Sequence, residues 1–247
     1  MDIYGLLGKN IKHSKSPEFF NNRFKKHGID AEYHLYDLNN IDEIESLIKN
    51  TPNLKGLNVT IPYKRALSFL VDECSADVKY SGSLNLLSFS SKNGRLVRGY
   101  NTDVDAFENT IKKFIKDNNG IRALILGTGG VAHTVSYVFR KLGVFYYFVT
   151  RDPSKVAHIG YNWINKEVCD NFNLIVNCTP VGMSPNDDEL VDLPYHLLNE
   201  KHICYDCIYN PEETMFLKHA KEHGAQVIGG LPMFNLQAEH SWKIWMR

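Results

Sequence analysis

Residues Ala123-Leu124-Ile125-Leu126 run directly into Gly127-Thr128-Gly129-Gly130-Val131-Ala132, after which apolar residues recur at helical spacing as far as Leu142. A buried strand, a glycine turn and a helix in that order make a receptor for pyrophosphate. The first N–H groups of the helix have no partner within it, and its dipole favours negative charge. Gly127 permits the tight turn, Gly129 lets backbone approach a phosphate, and Ala132 is small enough for close helix–strand packing. Thr128, Gly130 and Val131 complete the candidate loop.

The apolar run Phe145 to Thr150 is the second strand of this unit, and it ends Val149-Thr150-Arg151. Folds that bind the ribose 2′-hydroxyl of NAD place Asp or Glu at this point. An arginine can instead pair with a 2′-phosphate, and Thr150 offers a hydroxyl beside it, which favours NADP. The alternative is a solvated surface arginine, and Asp152 next door weakens the local positive field.

Outward from this unit the alternation continues. Leu174 to Asn177, Ile203 to Tyr205 and Gln226 to Ile228 read as strands, Glu212 to His223 and Phe234 to Trp245 as helices. In the first half, strands are expected at Ile3 to Leu7, Ala31 to Tyr36, Gly56 to Val59 and Leu84 to Phe89. Helices are expected at Pro17 to Lys26, Ile41 to Ile48 and Asp103 to Lys116. Ser16 before Pro17, with Glu18 in the first turn, predicts a helix start. Lys92-Asn93-Gly94 predicts a hairpin, and Asp117-Asn118-Asn119-Gly120 a polar turn. Strands alternating with helices imply an α/β fold with largely parallel sheets. The length of 247 residues accommodates two such domains of about 100–150 residues, with a cleft between them as the natural ligand site.

Lys+Arg and Asp+Glu are equal at 28 each, so nothing selects for nucleic acid or an anionic membrane surface. No stretch approaches the ~18 uninterrupted apolar residues of a membrane span, and the amino terminus lacks the basic and apolar regions of a signal peptide. Five cysteines without disulfide-like spacing suit a reducing compartment, so the cytoplasm is expected. In Cys204-x-x-Cys207 the odd spacing points the sulfurs to opposite strand faces, and no second pair completes a zinc site. His219 and His223 have metal-compatible spacing, but Lys218 and Lys221 mark a solvated face, and no metal is expected.

Several polar clusters occupy the first half. His13-Ser14-Lys15-Ser16-Pro17 sets two hydroxyls two residues apart, facing the same way if extended. Asn58 and Thr60 share one face of a strand end, and Pro62 starts a turn or helix that presents Lys64. Asn85 lies between Leu84 and Leu86, and Gly99-Tyr100-Asn101-Thr102-Asp103 delivers a carboxylate at a helix start. Each has a bland counterpart: a serine can cap a helix, Asn85 can satisfy backbone, and Asp103 is a good N-cap. Together they line a surface with hydroxyls, amides, one amine and one carboxylate.

These segments resemble the shikimate dehydrogenase family, whose motifs they match in order. His13 to Pro17 resembles its HS-x-SP, Asn58 to Lys64 its NVT-x-P-x-K, Gly99 to Asp103 its GYNTD, and Gly127 to Ala132 its glycine loop. Asn177 to Met183 resembles N-x-T-x-x-GM, Asp206 to Pro211 D-x-x-YNP, and Gly230 to Gln237 G-L-x-M-x-x-x-Q. The resemblance implies a substrate domain of residues 1–102 plus 233–247 and a Rossmann-type NADP domain of residues 103–232. It implies that Lys64 and Asp103 are the catalytic pair and that Ser14, Ser16 and Tyr209 hold the substrate carboxylate. Asn58, Thr60, Asn85, Asp103 and Gln237 would bind ring hydroxyls, with Thr179, Gly230 and Met233 on the nicotinamide side. Phe234 to Trp245 should return to the first half.

The implied reaction is reversible reduction of 3-dehydroshikimate to shikimate with NADPH, in aromatic amino-acid biosynthesis, by a monomer or homodimer acting on a small-molecule substrate. Reducing a ketone needs a proton on oxygen as well as hydride on carbon. A lysine can supply it and stabilise the developing alkoxide, with Asp103 holding the amine in place. Rival readings are a quinate or quinate/shikimate dehydrogenase, a Rossmann-type dehydrogenase acting on a folate, and a non-catalytic sensor of shikimate-like ligands. Leu86 stands where the family usually has threonine, which leaves the support of Asn85 open. Ala106-Phe107 replaces the family's Gly-Phe, and His133, just past the glycine loop, reads as a partly exposed helix residue.

Overall fold

The structure is a computed structural model that describes residues 1–90, 96–116 and 120–247, without the Lys116 side chain. The expected hairpin at Lys92-Asn93-Gly94 and most of the turn at Asp117 to Asn119 lie outside the described residues. Backbone contacts divide the chain into one unit of Met1–Asp103 with Leu236–Arg247 and a second of Val104–Asn235.

The first unit begins β1 (Asp2–Gly8), α1 (Ser16–Lys26), β2 (Ala31–Asp37), α2 (Glu43–Asn50) and β3 (Leu54–Val59). A 3-10 helix (Tyr63–Leu70) follows, then β4 (Glu73–Cys74), α3 (Ala76–Ser81), β5 (Leu86–Ser90) and β6 (Leu96–Tyr100). The sheet order is β2-β1-β3-β5-β6-β4. β1 pairs in parallel with β2 and β3, and β4 with β6, while β5 runs antiparallel to both its neighbours.

Period-two alternation divides the side chains of this sheet between two faces. Leu7, Leu57 and Val59 pack with Ile44, Tyr63 and Leu67 on one side. Tyr4, Leu6 and Tyr33 face the other, with Phe20 and Phe24 of α1 and with Ala238 and Trp242 near the carboxy terminus. Gly56 makes room there: a Cβ on it would sit 2.1 Å from Trp245 Nε1, which donates to the Leu87 carbonyl at 3.2 Å. Arg23 pairs with Glu239 and lies over the Trp242 ring. Asn58 points to this second face, between the apolar residues that point to the first.

α4 (Thr102–Lys116) opens into the second unit, which continues β7 (Arg122–Leu126), α5 (Gly130–Leu142), β8 (Phe145–Thr150), β9 (His158–Gly160), α6 (Lys166–Asn171) and β10 (Leu174–Asn177). β11 (Ile203–Asp206), α7 (Met215–Glu222) and β12 (Gln226–Ile228) follow, and α8 (Leu231–Trp245) belongs to this unit as far as Asn235 and to the first from Leu236. All five pairings are parallel in the order β12-β11-β10-β7-β8-β9. Numbered from β7 this is the doubly wound order 6-5-4-1-2-3 of the Rossmann fold. β7 and β10 flank the point where the winding reverses, so their carboxyl ends are where such a sheet takes its ligand. Ala132, Val135, Val138 and Phe139 bury one stripe of α5, and Gly143 (φ +68°) ends the helix in the left-handed region.

α2 and α8 start at Glu43 and Leu231 rather than at the expected Ile41 and Phe234, and two further helix starts move for local reasons. α7 begins at Met215 rather than Glu212, because Thr214 caps it by accepting from Leu217 N–H. Ser16 is the first helical residue rather than a side-chain cap: its own N–H donates to Ser14 Oγ at 3.2 Å. Asn85 precedes β5 instead of lying within it. Among the described residues no helix is long and apolar enough to cross a membrane.

Candidate active site

The 3-10 helix that follows β3 carries Lys64, and the first turn of α4 carries Asp103. Lys64 Nζ donates to Asp103 Oδ2 at 2.7 Å. The side chains are only 14% and 7% exposed, so this is no solvent-screened surface pair. Backbone and amide bonds fix both ends. Leu84 N–H donates to the Lys64 carbonyl at 2.8 Å, and Asp103 N–H to Asn101 Oδ1 at 3.2 Å. The Asn101 amide in turn donates to Ser81 Oγ and the Ser83 carbonyl.

Around the pair runs a buried polar network. Asn85 Oδ1 accepts from Thr102 N–H at 2.8 Å, and its amide donates to Thr102 Oγ1 at 2.9 Å. Thr102 thus supports Asn85 from both sides of its amide, while Leu86 itself is core. Asn58 Oδ1 accepts from Tyr33 O–H at 2.8 Å, and its amide donates to Ser241 Oγ and the Asn85 carbonyl. Ser241 Oγ donates to the Gln237 carbonyl one turn earlier on α8 and lies 3.4 Å from Thr102 Oγ1. Gln237 and Thr60 are partly buried, and Thr60 is held by its N–H to the Leu7 carbonyl. Asn58 thus has both amide hydrogens engaged and keeps one acceptor lone pair, whereas Asn85 keeps a second amide hydrogen.

Ser14 and Ser16 come together by a different route from the extended one expected. Lys15 is in the right-handed helical region (φ −80°, ψ −4°), and the bend brings Ser14 Oγ to 3.2 Å from Ser16 Oγ. Ser14 donates, so the Ser16 hydroxyl keeps its own hydrogen.

In the second unit, Gly127 (φ +96°) turns the chain after β7, and Gly129 caps α5 without a side-chain bond. A Cβ on Gly127 would lie 3.1 Å from Thr179 Cγ2, so the glycine turn and the loop after β10 touch. That loop is braced from within. Asn177 Oδ1 accepts from Thr179 N–H and O–H, and the Asn177 amide donates to Asp206 at 3.2 Å. Asp206, fully buried, also accepts from Thr214 O–H at 2.6 Å and Ile208 N–H at 2.9 Å. Burial pushes its carboxyl up to about 6, against those donors, which pull it down.

Gly230 lies under the loop after β11: a Cβ there would meet the Ile208 and Cys207 carbonyls at 2.5 and 2.7 Å. Tyr209 stacks on Phe234 at 4.2 Å, and Met233 is buried. Thr150 Oγ1 accepts from Asp152 N–H at the end of β8, where Arg151 is exposed. His133 packs its ring 5.6 Å from Phe148. Cys204 is buried and its thiol pushed up to about 12 by desolvation. His223 Nδ1 is bound to the His219 carbonyl, and no group of three or more His, Cys, Asp or Glu placed to hold a metal occurs among the described residues.

Residues 6–87 match the family model of the shikimate dehydrogenase substrate binding domain. A shikimate dehydrogenase (NADP(+)) of Clostridium botulinum strain 657 is 34% identical over 251 residues, 98% of this chain and 95% of that one. The chain belongs to the shikimate dehydrogenase family. The Aquifex aeolicus relative of the same name is also 34% identical, over 98% of this chain and 90% of its own. The crystal structure of shikimate dehydrogenase from Aquifex aeolicus superposes with a TM-score of 0.86 at 32% identity, covering 99% of this chain and 92% of that one. A Thermus thermophilus shikimate 5-dehydrogenase in complex with NADP(H) and shikimate gives 0.81 at 27% identity, covering 99% and 93%.

This shikimate dehydrogenase family member has residues that fit a dinucleotide. A Cβ on Gly129 would meet nothing within 4 Å, which leaves open space where α5 begins. The first N–H groups of that helix, at Gly130, Val131 and Ala132, have no acceptor inside it, and the Arg151 side chain is open to solvent at the end of β8. Sequence reasoning passed over Thr102, Ser241, Tyr33 and Asn101, which hold the polar residues in place. Thr102 and Asn101 lie within the segment Gly99 to Asp103. Ser241 was marked by its spacing of four from Gln237, a polar step on a helix face shared with Ala238 and Trp242. Lys155, in the same loop as Arg151, was a further cation near the β8 end.

Proposed function

We propose that this chain catalyses the reversible NADPH-dependent reduction of 3-dehydroshikimate to shikimate, a step of aromatic amino-acid biosynthesis. The observation that carries the reading is the 2.7 Å contact between Lys64 Nζ and Asp103 Oδ2, set among the amides of Asn58 and Asn85. Bound NADPH supplies the hydride. Lys64 donates a proton to the carbonyl oxygen as negative charge develops there, and takes it back from the alcohol in the reverse direction. Asp103 fixes the direction of the Lys64 amine and accepts from a ring hydroxyl with its remaining oxygen lone pairs.

The Ser16 hydroxyl donates to the substrate carboxylate, and the Ser14 hydroxyl joins it by turning its one hydrogen from Ser16 Oγ to the carboxylate when substrate binds. Asn85, Thr60 and Gln237 bind ring hydroxyls. Asn58, most of whose amide is engaged by Tyr33 and Ser241, contributes one acceptor and the rigidity of the strand end. A ligand lacking one hydroxyl leaves a buried polar group unpaired, at a cost of about 1–3 kcal/mol. The glycine turn from Gly127 to Ala132 receives the pyrophosphate, and Thr150 and Arg151 the 2′-phosphate. Thr179, Tyr209, Gly230 and Met233 keep the roles that the family resemblance assigns them, in a monomer or homodimer of the cytoplasm. The test is absorbance at the reduced-nicotinamide band with shikimate and NADP(+). Growth of the band supports the reading, and a flat trace with active controls removes it.

A further inference from the structure

Cys178 and Cys207 each stand one residue beyond the end of a strand, Cys178 after β10 and Cys207 after β11. The two strands run in parallel register from Leu174↔Ile203 to Asn177↔Asp206, so these cysteines are the next cross-strand pair. Pairing of β11 with β10 persists past the formal ends, since Cys207 N–H donates to the Asn177 carbonyl at 3.0 Å, while Cys178 N–H donates to the Leu126 carbonyl of β7 at 3.0 Å and holds β10 from its other side. Matching positions on neighbouring strands project side chains to the same face. Their sulfurs accordingly lie 3.9 Å apart, although 29 positions separate them in the chain.

We propose that Cys178 and Cys207 form a reversible dithiol–disulfide site, and that closing the bond weakens NADP(H) binding. A disulfide needs Cα atoms roughly 4.4–6.8 Å apart and sulfurs at about 2.05 Å. Neighbouring strands are spaced at about 4.8 Å, so the sulfurs can meet largely by side-chain rotation. Both residues are partly exposed, so an oxidant can reach them. Cys169 and Cys204 are buried, and desolvation raises both thiols away from the reactive thiolate. The Cys-x-x-Cys spacing is therefore misleading, since the partner of Cys207 is on the adjacent strand.

The oxidant is a low-molecular-weight disulfide. The Cys178 thiolate attacks one of its sulfurs and expels one thiolate, leaving a mixed disulfide. The Cys207 thiolate then attacks the Cys178 sulfur and expels the second. The two protein thiol protons end on the two released thiolates, so one protein disulfide forms as one small disulfide is reduced to two thiols. A small reducing thiol reverses both steps.

Position gives the bond its consequence. The Cys178 carbonyl would lie 3.5 Å from a Cβ on Gly127, and the Cys207 carbonyl 2.7 Å from a Cβ on Gly230. A link between the two cysteines ties the loop that carries Ile208, after β11, to the loop that carries Thr179, after β10 and beside the switch point of the sheet. By linkage, NADPH must then favour the dithiol by the same factor by which the bond weakens NADPH, about fivefold or more on the usual scale of coupled sites. This coupling rests on the proposed function; the bond itself does not.

The experiment equilibrates the full chain in buffers of reduced and oxidised glutathione, with and without NADPH, then quenches with an alkylating reagent for intact-mass and peptide analysis. The expected result is a species lighter by two hydrogen atoms with a Cys178–Cys207 crosslink. The bond should persist in Cys204→Ser and be absent in Cys178→Ser and Cys207→Ser. With NADPH, oxidation should require a glutathione ratio about fivefold or more further to the oxidised side. No crosslink, or one between Cys204 and Cys207, overturns the site. A crosslink with an unmoved midpoint overturns its coupling to the cofactor. Failure to oxidise shikimate while the crosslink forms counts against the proposed function and leaves the bond standing.

Discussion

Lys64 Nζ and Asp103 Oδ2 lie 2.7 Å apart across 39 positions of sequence, with both side chains mostly withdrawn from water. Such a pair is costly to break one partner at a time, because the survivor is left desolvated and uncompensated.

Asp103→Ala is expected to lower unfolding free energy by about 3–5 kcal/mol, whereas the double variant with Lys64→Met loses less than the sum of the singles. Denaturant unfolding of the four proteins measures the coupling. Strictly additive losses would show that the two groups do not interact.

Arg151 is exposed at the end of β8, next to the Thr150 hydroxyl. A charge-assisted bond to a phosphate is worth ~1.5–3 kcal/mol, so Arg151→Ala should raise the Michaelis constant for NADPH by about tenfold or more. NADH, which lacks the phosphate, should be used about as before. Equal losses with both cofactors would mean that the arginine does not read the 2′-phosphate.

Asp206 joins the loops after β10 and β11, and burial raises its carboxyl from 3.8 to about 6. The folded state then holds its proton more tightly than the unfolded chain. Its contribution to stability is full below the unfolded value and is lost as pH rises through about 6. The shift corresponds to about 3 kcal/mol. Unfolding of wild type and Asp206→Asn from pH 4 to 7 isolates it: the stability of wild type relative to the variant should decline across this window. A difference that stayed level or grew would contradict the assignment.

Gly56 lies against the Trp245 indole, with a hypothetical Cβ 2.1 Å from Nε1. Gly56→Ala should displace the ring from the Leu87 carbonyl, cost about 1–3 kcal/mol in stability and change tryptophan fluorescence. Unaltered fluorescence and melting temperature would place the carboxy-terminal helix elsewhere.

The regular elements were legible where periodicity had room to act. β8 and β10 span the stretches expected of them. β4, β9 and α6 span two, three and six residues, too short for any period to declare itself. The bend at Lys15 was hidden for a related reason: Ser14 and Ser16 meet through one residue's helical dihedral, which spacing alone does not specify.

Asn85 stood out as an amide between apolar neighbours, and Asn58, Lys64 and Asp103 as members of polar clusters that match the family's motifs. Their partners did not, since Tyr33, Thr102 and Ser241 come from three distant segments that meet only after the sheet is built. Hydrogen bonds of that range leave no local pattern. The thiol pair was obscured by a nearer cysteine, because Cys204 sits three residues from Cys207 while Cys178 is 29 away.

The most direct measurement is the initial rate of nicotinamide reduction with shikimate and NADP(+), for wild type and for Lys64→Ala. Wild type should turn over steadily, and the variant should lose about 10²-fold or more in turnover with a much smaller change in substrate binding. A Lys64→Ala protein that kept near-wild-type turnover would contradict proton transfer by Lys64.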